Sequence, residues 1–200
     1  MKIILFLLLS ISISFASVEF EDIKIQYFKS YDYEHMQKYS EAIKVLAPLY
    51  KKYPKGYTLN LRFGWLFYLD KKYKDSIKYY QNASLINPYA IDPILGLIRV
   101  YLDTSSFKEA EIVSYKLLKI DYYNYYANLF VVKALTAQKK YDIATEIINK
   151  MLALYPTDIA FLEQLAIVYK LTKSPYLQKL YEDILILDPN NVLVRSSLKK

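Results

Sequence analysis

Four aromatic residues, Tyr39, Tyr73, Phe107 and Tyr141, stand 34 positions apart, and three positions after each comes a small residue: Ala42, Ser76, Ala110 and Ala144. Aromatics make up 16% of the chain, so three further coincidences at a fixed spacing have a chance probability of about 0.004, before the small residues are counted. Prolines keep the same beat. Pro54 and Pro88 are 34 apart and Pro156 follows 68 later, with Tyr122 at the skipped place; Pro189 comes 33 after Pro156, so the last unit is one residue shorter. A period of this length is one supersecondary unit. Such a unit cannot bury its apolar face alone, so the recurrence predicts a stack of similar units sharing a continuous core.

Each unit reads as two amphipathic helices, A and B. In the second unit helix A is expected over 57–69 and helix B over 73–86, with Asp70-Lys71-Lys72 as a tight polar turn between them. Pro88 ends helix B, because proline lacks an amide and disfavours helix at the residue before it. The later pairs are expected at 93–103 and 107–120, 125–138 and 141–155, and 159–171 followed by a helix to Leu187 that Ser174 and Pro175 open as N-cap and first-turn residues. A looser first unit covers 22–33 and 39–53, with Pro48 expected to kink its second helix. A short helix over 192–199, capped by Asn190 or Asn191, closes the chain with a polar end. Gly64 stands among large apolar residues in a predicted helix interior, where glycine costs about 1 kcal/mol against alanine. Its expected role is to let helices A and B cross closely at Gly64 and Ser76, with Phe67 and Tyr73 closing over the gap.

A 34-residue helix–turn–helix period with W-x2-L-G-x2-Y in helix A, A-x3-F in helix B and a closing proline is the pattern of the tetratricopeptide repeat. The chain resembles that family over about 21–189. Phe63-Gly64-x2-Phe67 stands at the L-G-x2-Y site, with Asn60 in place of tryptophan, and Leu162-x2-Leu165-Ala166-x2-Tyr169 follows the pattern with alanine for glycine. Ile94-x2-Leu97 and Tyr101 fit too, although Ile98 is large for the small site. Ala42-x3-Leu46, Ser76-x3-Tyr80 and Ala144-x3-Ile148 match helix B, and Ala110-x3-Ser114 does so weakly. In the first unit Lys29 and Ser30 occupy the paired sites, and only Ser30 fits.

The resemblance implies an all-α, right-handed superhelical solenoid of antiparallel helix pairs, about five repeats long. It also implies a concave groove lined by the A helices, in which an extended or helical peptide lies. Residue spacing selects the A-helix positions left over after packing: Tyr27 and Tyr31; Thr58, Leu61, Trp65 and Tyr68; Arg99; Tyr126, Leu129 and Lys133; and Glu163, Ile167 and Lys170. Tyrosine and tryptophan, being large, stiff and amphipathic, are residue types that anchor interfaces. A subset of the family grips a C-terminal carboxylate with Lys, Asn and Arg on successive A helices. The matching positions here are Tyr27, Tyr31, Arg62, Asp92 and Gly96, of which only Arg62 is basic, so that activity is not implied.

The first residues bear on compartment. Lys2, an uncharged apolar run over 3–15 and Ser14-Phe15-Ala16 read as a secretory signal peptide cleaved after Ala16. The run of 13 residues falls short of the roughly 20 a spanning helix needs, and no later segment is long and uncharged enough to span. The domain reading is therefore 1–16 signal peptide, 17–56 irregular first repeat or N-terminal cap, 57–189 repeats and 190–200 capping helix. Export is expected, to the periplasm if the source is Gram-negative. The chain has no cysteine, which excludes disulfides, thiol nucleophiles and a lipidated N-terminal cysteine.

The formal charge of +7 becomes +6 on removal of Lys2, and it rests mostly on lysine; the arginines are Arg62, Arg99 and Arg195. Nucleic-acid readers lean on arginine, so no nucleic-acid partner is expected. His35 is the single histidine, beside Glu34 in an expected turn, and reads as a surface residue rather than a ligand. Asp121, Asp142 and Glu146 read as helix-terminal carboxylates. No G-x-S-x-G, H-E-x-x-H or glycine-rich phosphate loop occurs. The reading is a binding scaffold or assembly factor of the cell envelope, with no enzymatic activity, cofactor or metal. Its partner is a protein or peptide in the groove. Two alternatives stay open: an exopolysaccharide or wall glycan stacked on the aromatic face, and a homodimer formed through the first unit or the C-terminal helix.

Overall fold

Five A–B turns share one conformation, and the repeat spaces them. Gln37, Lys71, Ser105, Lys139 and Lys173 all have φ between 53° and 60°, each 34 residues after the last. In the second turn the Lys72 amide donates to the Phe67 carbonyl (2.9 Å) and the Lys71 amide to that of Tyr68 (3.0 Å). The long bond recurs from Lys38 to Tyr33, Ser106 to Tyr101, Lys140 to Leu135 and Ser174 to Tyr169, at 2.8–2.9 Å. These are paired six-to-one and five-to-two helix endings, which satisfy the last carbonyls of helix A and reverse the chain in three residues. The left-handed position normally suits glycine, and in this chain no glycine fills it.

The computed structural model describes the backbone of residues 2–198 and the side chains of 19–198. Among the described residues every regular element is a helix, and none is long and apolar enough to cross a membrane. The expected signal peptide, 1–16, lies outside the described side chains. The chain divides into two compact units, residues 1–88 and 89–200.

The first unit holds α1 (Lys2–His35), α2 (Tyr39–Lys52), α3 (Tyr57–Leu69) and α4 (Tyr73–Ile86), packed as antiparallel pairs α1/α2 and α3/α4 with α2 against α3. The bounds of α3 and α4 are those the sequence predicts. Helix α1 is longer at both ends than the expected 22–33, so Glu34 and His35 are helical and not in a turn. Pro48 lies inside α2 on its exposed side, where water can serve the carbonyl that the missing amide leaves without a partner. Ala42, Leu46, Leu49, Leu59, Phe63 and Leu66 form the buried core. Around it Tyr50, Phe63, Phe67 and Tyr79 pack ring on ring, with centroids 5.0–6.0 Å apart.

Gly64 does sit at a close crossing, but its neighbour is not the expected one. A Cβ built on Gly64 would lie 2.6–2.8 Å from three ring carbons of Tyr80. The Ser76 hydroxyl donates to the Gly64 carbonyl at 2.7 Å, tying α4 to the α3 backbone. Tyr80 fills the space because it lies one helical turn beyond Ser76, on the same face. Tyr73 opens the helix and instead meets Tyr68, with centroids 6.2 Å apart.

The same register gives Ser30, Gly64, Ile98, Val132 and Ala166 on successive A helices, all buried. Ile98, large for this site, is fully buried nonetheless. The helix B position that carries Tyr80 opposite glycine carries Ser114 in Ile98's repeat. Bulk has moved from one helix to the other, and a close-packed interior tolerates such volume-conserving exchange.

The second unit holds α5 (Ile91–Asp103), α6 (Phe107–Leu118), α7 (Tyr125–Ala137), α8 (Tyr141–Leu154), α9 (Ile159–Thr172), α10 (Leu177–Leu187) and α11 (Val192–Leu198). Helices contact their successors in sequence, and α7 also meets α5 and α9. Helix α5 starts at Ile91, so Pro93 occupies its first turn, where an amide is not required. Side-chain caps open α7, α9 and α11. Asn124 accepts from the Ala127 amide (3.0 Å), Asp158 from Phe161 (3.0 Å) and Asn191 from Val194 (3.1 Å). The expected Ser174-Pro175 start of α10 is corrected: the helix begins at Leu177. The Ser174 amide is committed to ending α9, and its hydroxyl accepts from Tyr176 (3.3 Å) within the turn.

Candidate functional site

Tyr27, Ser30, Tyr31 and Glu34 lie at three- and four-residue steps on α1, so they share one face of that helix. Thr58, Arg62 and Trp65 do the same on α3. Side-chain bonds join the two faces. The Tyr27 hydroxyl is 3.4 Å from that of Thr58. Arg62 Nη2 donates to Ser30 Oγ at 3.1 Å, and its Nη1 is paired with Glu34. The second carboxylate oxygen of Glu34 accepts from Trp65 Nε1 at 2.7 Å. Glu34 therefore serves one cation and one indole from a single position in the last turn of α1.

The Arg62 side chain is 7% exposed. A guanidinium removed from water to that degree requires a counter-charge and acceptors; Glu34 and Ser30 supply them, and Nε is left without an acceptor among the described residues. Arg62 also lies over the ring of Tyr31, 4.0 Å from the centroid, an attractive cation–aromatic contact. Trp65 stacks on Tyr68 at 5.5 Å and 28°. The result is an aromatic surface, Tyr31, Trp65 and Tyr68, set on a buried ionic base. Burial raises the Tyr27 phenol above its usual range, partly offset by its bond to Thr58, so the hydroxyl stays neutral and able to donate.

Of the residues selected from sequence, Tyr27, Tyr31, Thr58, Leu61, Trp65 and Tyr68 belong to this first-unit face. Tyr31 is 45% exposed and Thr58 is exposed, while Tyr27, Leu61, Trp65 and Tyr68 are half-buried. The others belong to the second unit. Arg99 is half-buried on α5, and Tyr126 and Lys133 are exposed on α7. Leu129 is 8% exposed and belongs to the core of its unit, so it supplies packing rather than groove surface. On α9, Lys170 is exposed and donates to Ser197 at 3.4 Å, and Glu163 accepts from Asn191 at 2.7 Å, so the terminal helix draws on both. Glu34 is the residue that sequence reasoning missed. Its signal was present: it continues the 27, 30, 31 series by one step and is the acid on that face.

The comparisons bear on the fold. No protein-family model matches the chain, and no curated protein matches it by sequence. Solved structures do match. A double mutant of MamA RS-1 superposes with a TM-score of 0.74 at 13% identity, over 84% of this chain and 96% of that one. MamA from Desulfovibrio magneticus RS-1 gives 0.72 at 14% identity, over 88% and 96%. A tetratricopeptide repeat protein from Parabacteroides merdae ATCC 43184 gives 0.73 at 16% identity, over 82% of this chain and 64% of that one. The fold is of the tetratricopeptide-repeat type. At these identities the likeness speaks to architecture alone.

Proposed function

We propose that this chain is an exported interaction scaffold of the tetratricopeptide-repeat type, acting in the cell envelope by holding a partner polypeptide against its A-helix face. One observation carries the reading: Tyr31 rests on Arg62, and Trp65 donates to Glu34 and stacks on Tyr68, so these rings are held in place before any partner arrives. A rigid aromatic surface loses little entropy on binding, which is how interface anchors gain affinity. The fold supports the same reading, since repeats of this type present neighbouring A-helix faces, here those of α1 and α3, as a surface for a partner. Lys2, the apolar run 3–15 and Ser14-Phe15-Ala16 support export, and a Gram-negative source would place the mature protein in the periplasm.

Photo-crosslinking in the native host tests this, with the reactive residue at Tyr31 or Tyr68 and a control at the exposed Lys78 of α4. The expected result is a discrete protein adduct from the two aromatic positions only, on a chain whose N-terminus mass spectrometry places at Ser17. A glycosidase-sensitive smear would replace the polypeptide with a glycan, and an adduct at the mass of two chains would make the partner a second copy. Adducts at Lys78 alone would overturn the choice of face.

A further inference from the structure

The second unit carries a cleft on its B helices. It opens between α6 and α8 with a volume of about 540 Å³, within the roughly 300–1,000 Å³ typical of small-molecule sites. Leu118, Ile143 and Ile147 give it apolar walls, and Tyr115 and Tyr122 border it. Lys150 stands at one end.

That lysine is held in an unusual way. Its Nζ donates to Asn128 Oδ1 at 2.6 Å and lies 4.0 Å from the centroid of the Tyr122 ring. Asn128 is fully buried and cannot turn, because its amide nitrogen donates to the Tyr122 and Asn124 carbonyls at 3.1 and 2.9 Å. Lys150 thus has a fixed neutral acceptor and an aromatic face but, among the described residues, no carboxylate at ion-pair distance. Glu146 on the same helix influences it only through space. Burial holds the amine below its usual range, so the ammonium is short of compensation where it stands.

The same asparagine arrangement occurs elsewhere in the chain without a lysine. Asn60, 68 residues before Asn128, makes the same two bonds, to the Pro54 and Gly56 carbonyls at 2.9 Å each. The position 68 before Lys150 is Asn82, and Asn60 Oδ1 is buried with no partner. The asparagine lock therefore folds without a lysine, and Lys150 places a cation at the end of an apolar cleft.

We propose that the α6–α8 cleft binds a small apolar monocarboxylate, its chain against Leu118, Ile143 and Ile147 and its carboxylate on Lys150. Charge complementarity selects the ligand. Lys150 and Lys119 against Glu146 leave the cleft lining one net positive charge, and Leu118, Ile143 and Ile147 supply hydrocarbon, which together suit one carboxylate on an apolar chain.

The test is a titration of the 15N-labelled chain with octanoate, followed by amide chemical shifts. Saturable shifts confined to α6, α8 and the 119–124 turn are expected. The Lys150→Met variant, which recreates the situation of Asn60, should bind about tenfold more weakly, the loss of one charge-assisted hydrogen bond. The Ile143→Glu variant, at an exposed wall position, should weaken binding at least comparably, with the spectrum of a folded chain in both cases. Octylammonium should bind far more weakly than octanoate. Shifts that do not saturate, equal binding by Lys150→Met, or equal binding of octylammonium would each overturn the proposal.

Discussion

None of the five left-handed turn residues is glycine, and each carries a side chain where the backbone resists one. The penalty is of order 1 kcal/mol per position. Ser105→Gly should therefore stabilise the protein by about 0.5–1 kcal/mol, raising the melting temperature by a few degrees in calorimetry; an unchanged or lower midpoint would mean the turn is not strained. Gly64 is the opposite case, a glycine used for space. Gly64→Leu should destabilise by about 1–3 kcal/mol through overpacking against Tyr80. Gly64→Ile combined with Tyr80→Ser, which copies the Ile98 and Ser114 arrangement, should recover much of that loss in urea unfolding. The sequence announced that Gly64 marks a crossing, because glycine in an apolar helix needs a reason. It did not say that Tyr80 fills the space, since choosing among Phe67, Tyr73 and Tyr80 requires the actual helix rotation.

At the level of elements, α1 and α3 are joined by Glu34 and Arg62. Removing one member of a buried ion pair strands the other, at about 3–5 kcal/mol, whereas replacing both with apolar residues is often neutral. Glu34→Ala should fall near the lower bound, because the carboxylate is partly exposed, and should move the Trp65 emission. Glu34→Leu with Arg62→Met should cost far less. Denaturant titration of both variants checks this.

Helices α7 and α9 are tied differently. The Tyr125 hydroxyl donates to both oxygens of Asp158, at 3.0 and 3.1 Å, and burial together with that carboxylate pushes the phenol up to about 12. A phenol whose folded value exceeds its unfolded value of about 10 contributes stability that is complete below pH 10 and lost as pH rises towards 12. The alkaline limb of the stability profile should flatten in Tyr125→Phe. From α2 onwards helix positions were legible, because a 34-residue beat and its prolines mark those boundaries to within a few residues; the start of α1 at Lys2 lies outside that beat. The Glu34–Arg62–Trp65 set was not, because a bond between residues about 30 apart depends on which helices become neighbours.

For the whole molecule, the C-terminal end of the second unit matters as much as its middle. Helix α11 buries Val194 completely, and Asn191 reaches Glu163 on α9. Deleting 190–200 should lower the melting temperature and promote association in light scattering, as uncapped repeat stacks do; a monodisperse, equally stable product would show that α11 is not a cap. The division after Pro88 leaves no mark in the sequence, since INPYA reads like any other junction between repeats.

The traded bulk of Gly64 with Tyr80 and of Ile98 with Ser114 has a genetic corollary. Tandem repeats invite unequal crossing-over. An exchange joining helix A of the second repeat to helix B of the third would set glycine opposite serine and leave a void, and the reciprocal product would force isoleucine against tyrosine. An exchange in the turn between repeats keeps each matched pair together. Whole units can therefore be lost or duplicated with their packing kept, whereas a breakpoint between the codons of positions 64 and 80, or 98 and 114, separates a matched pair.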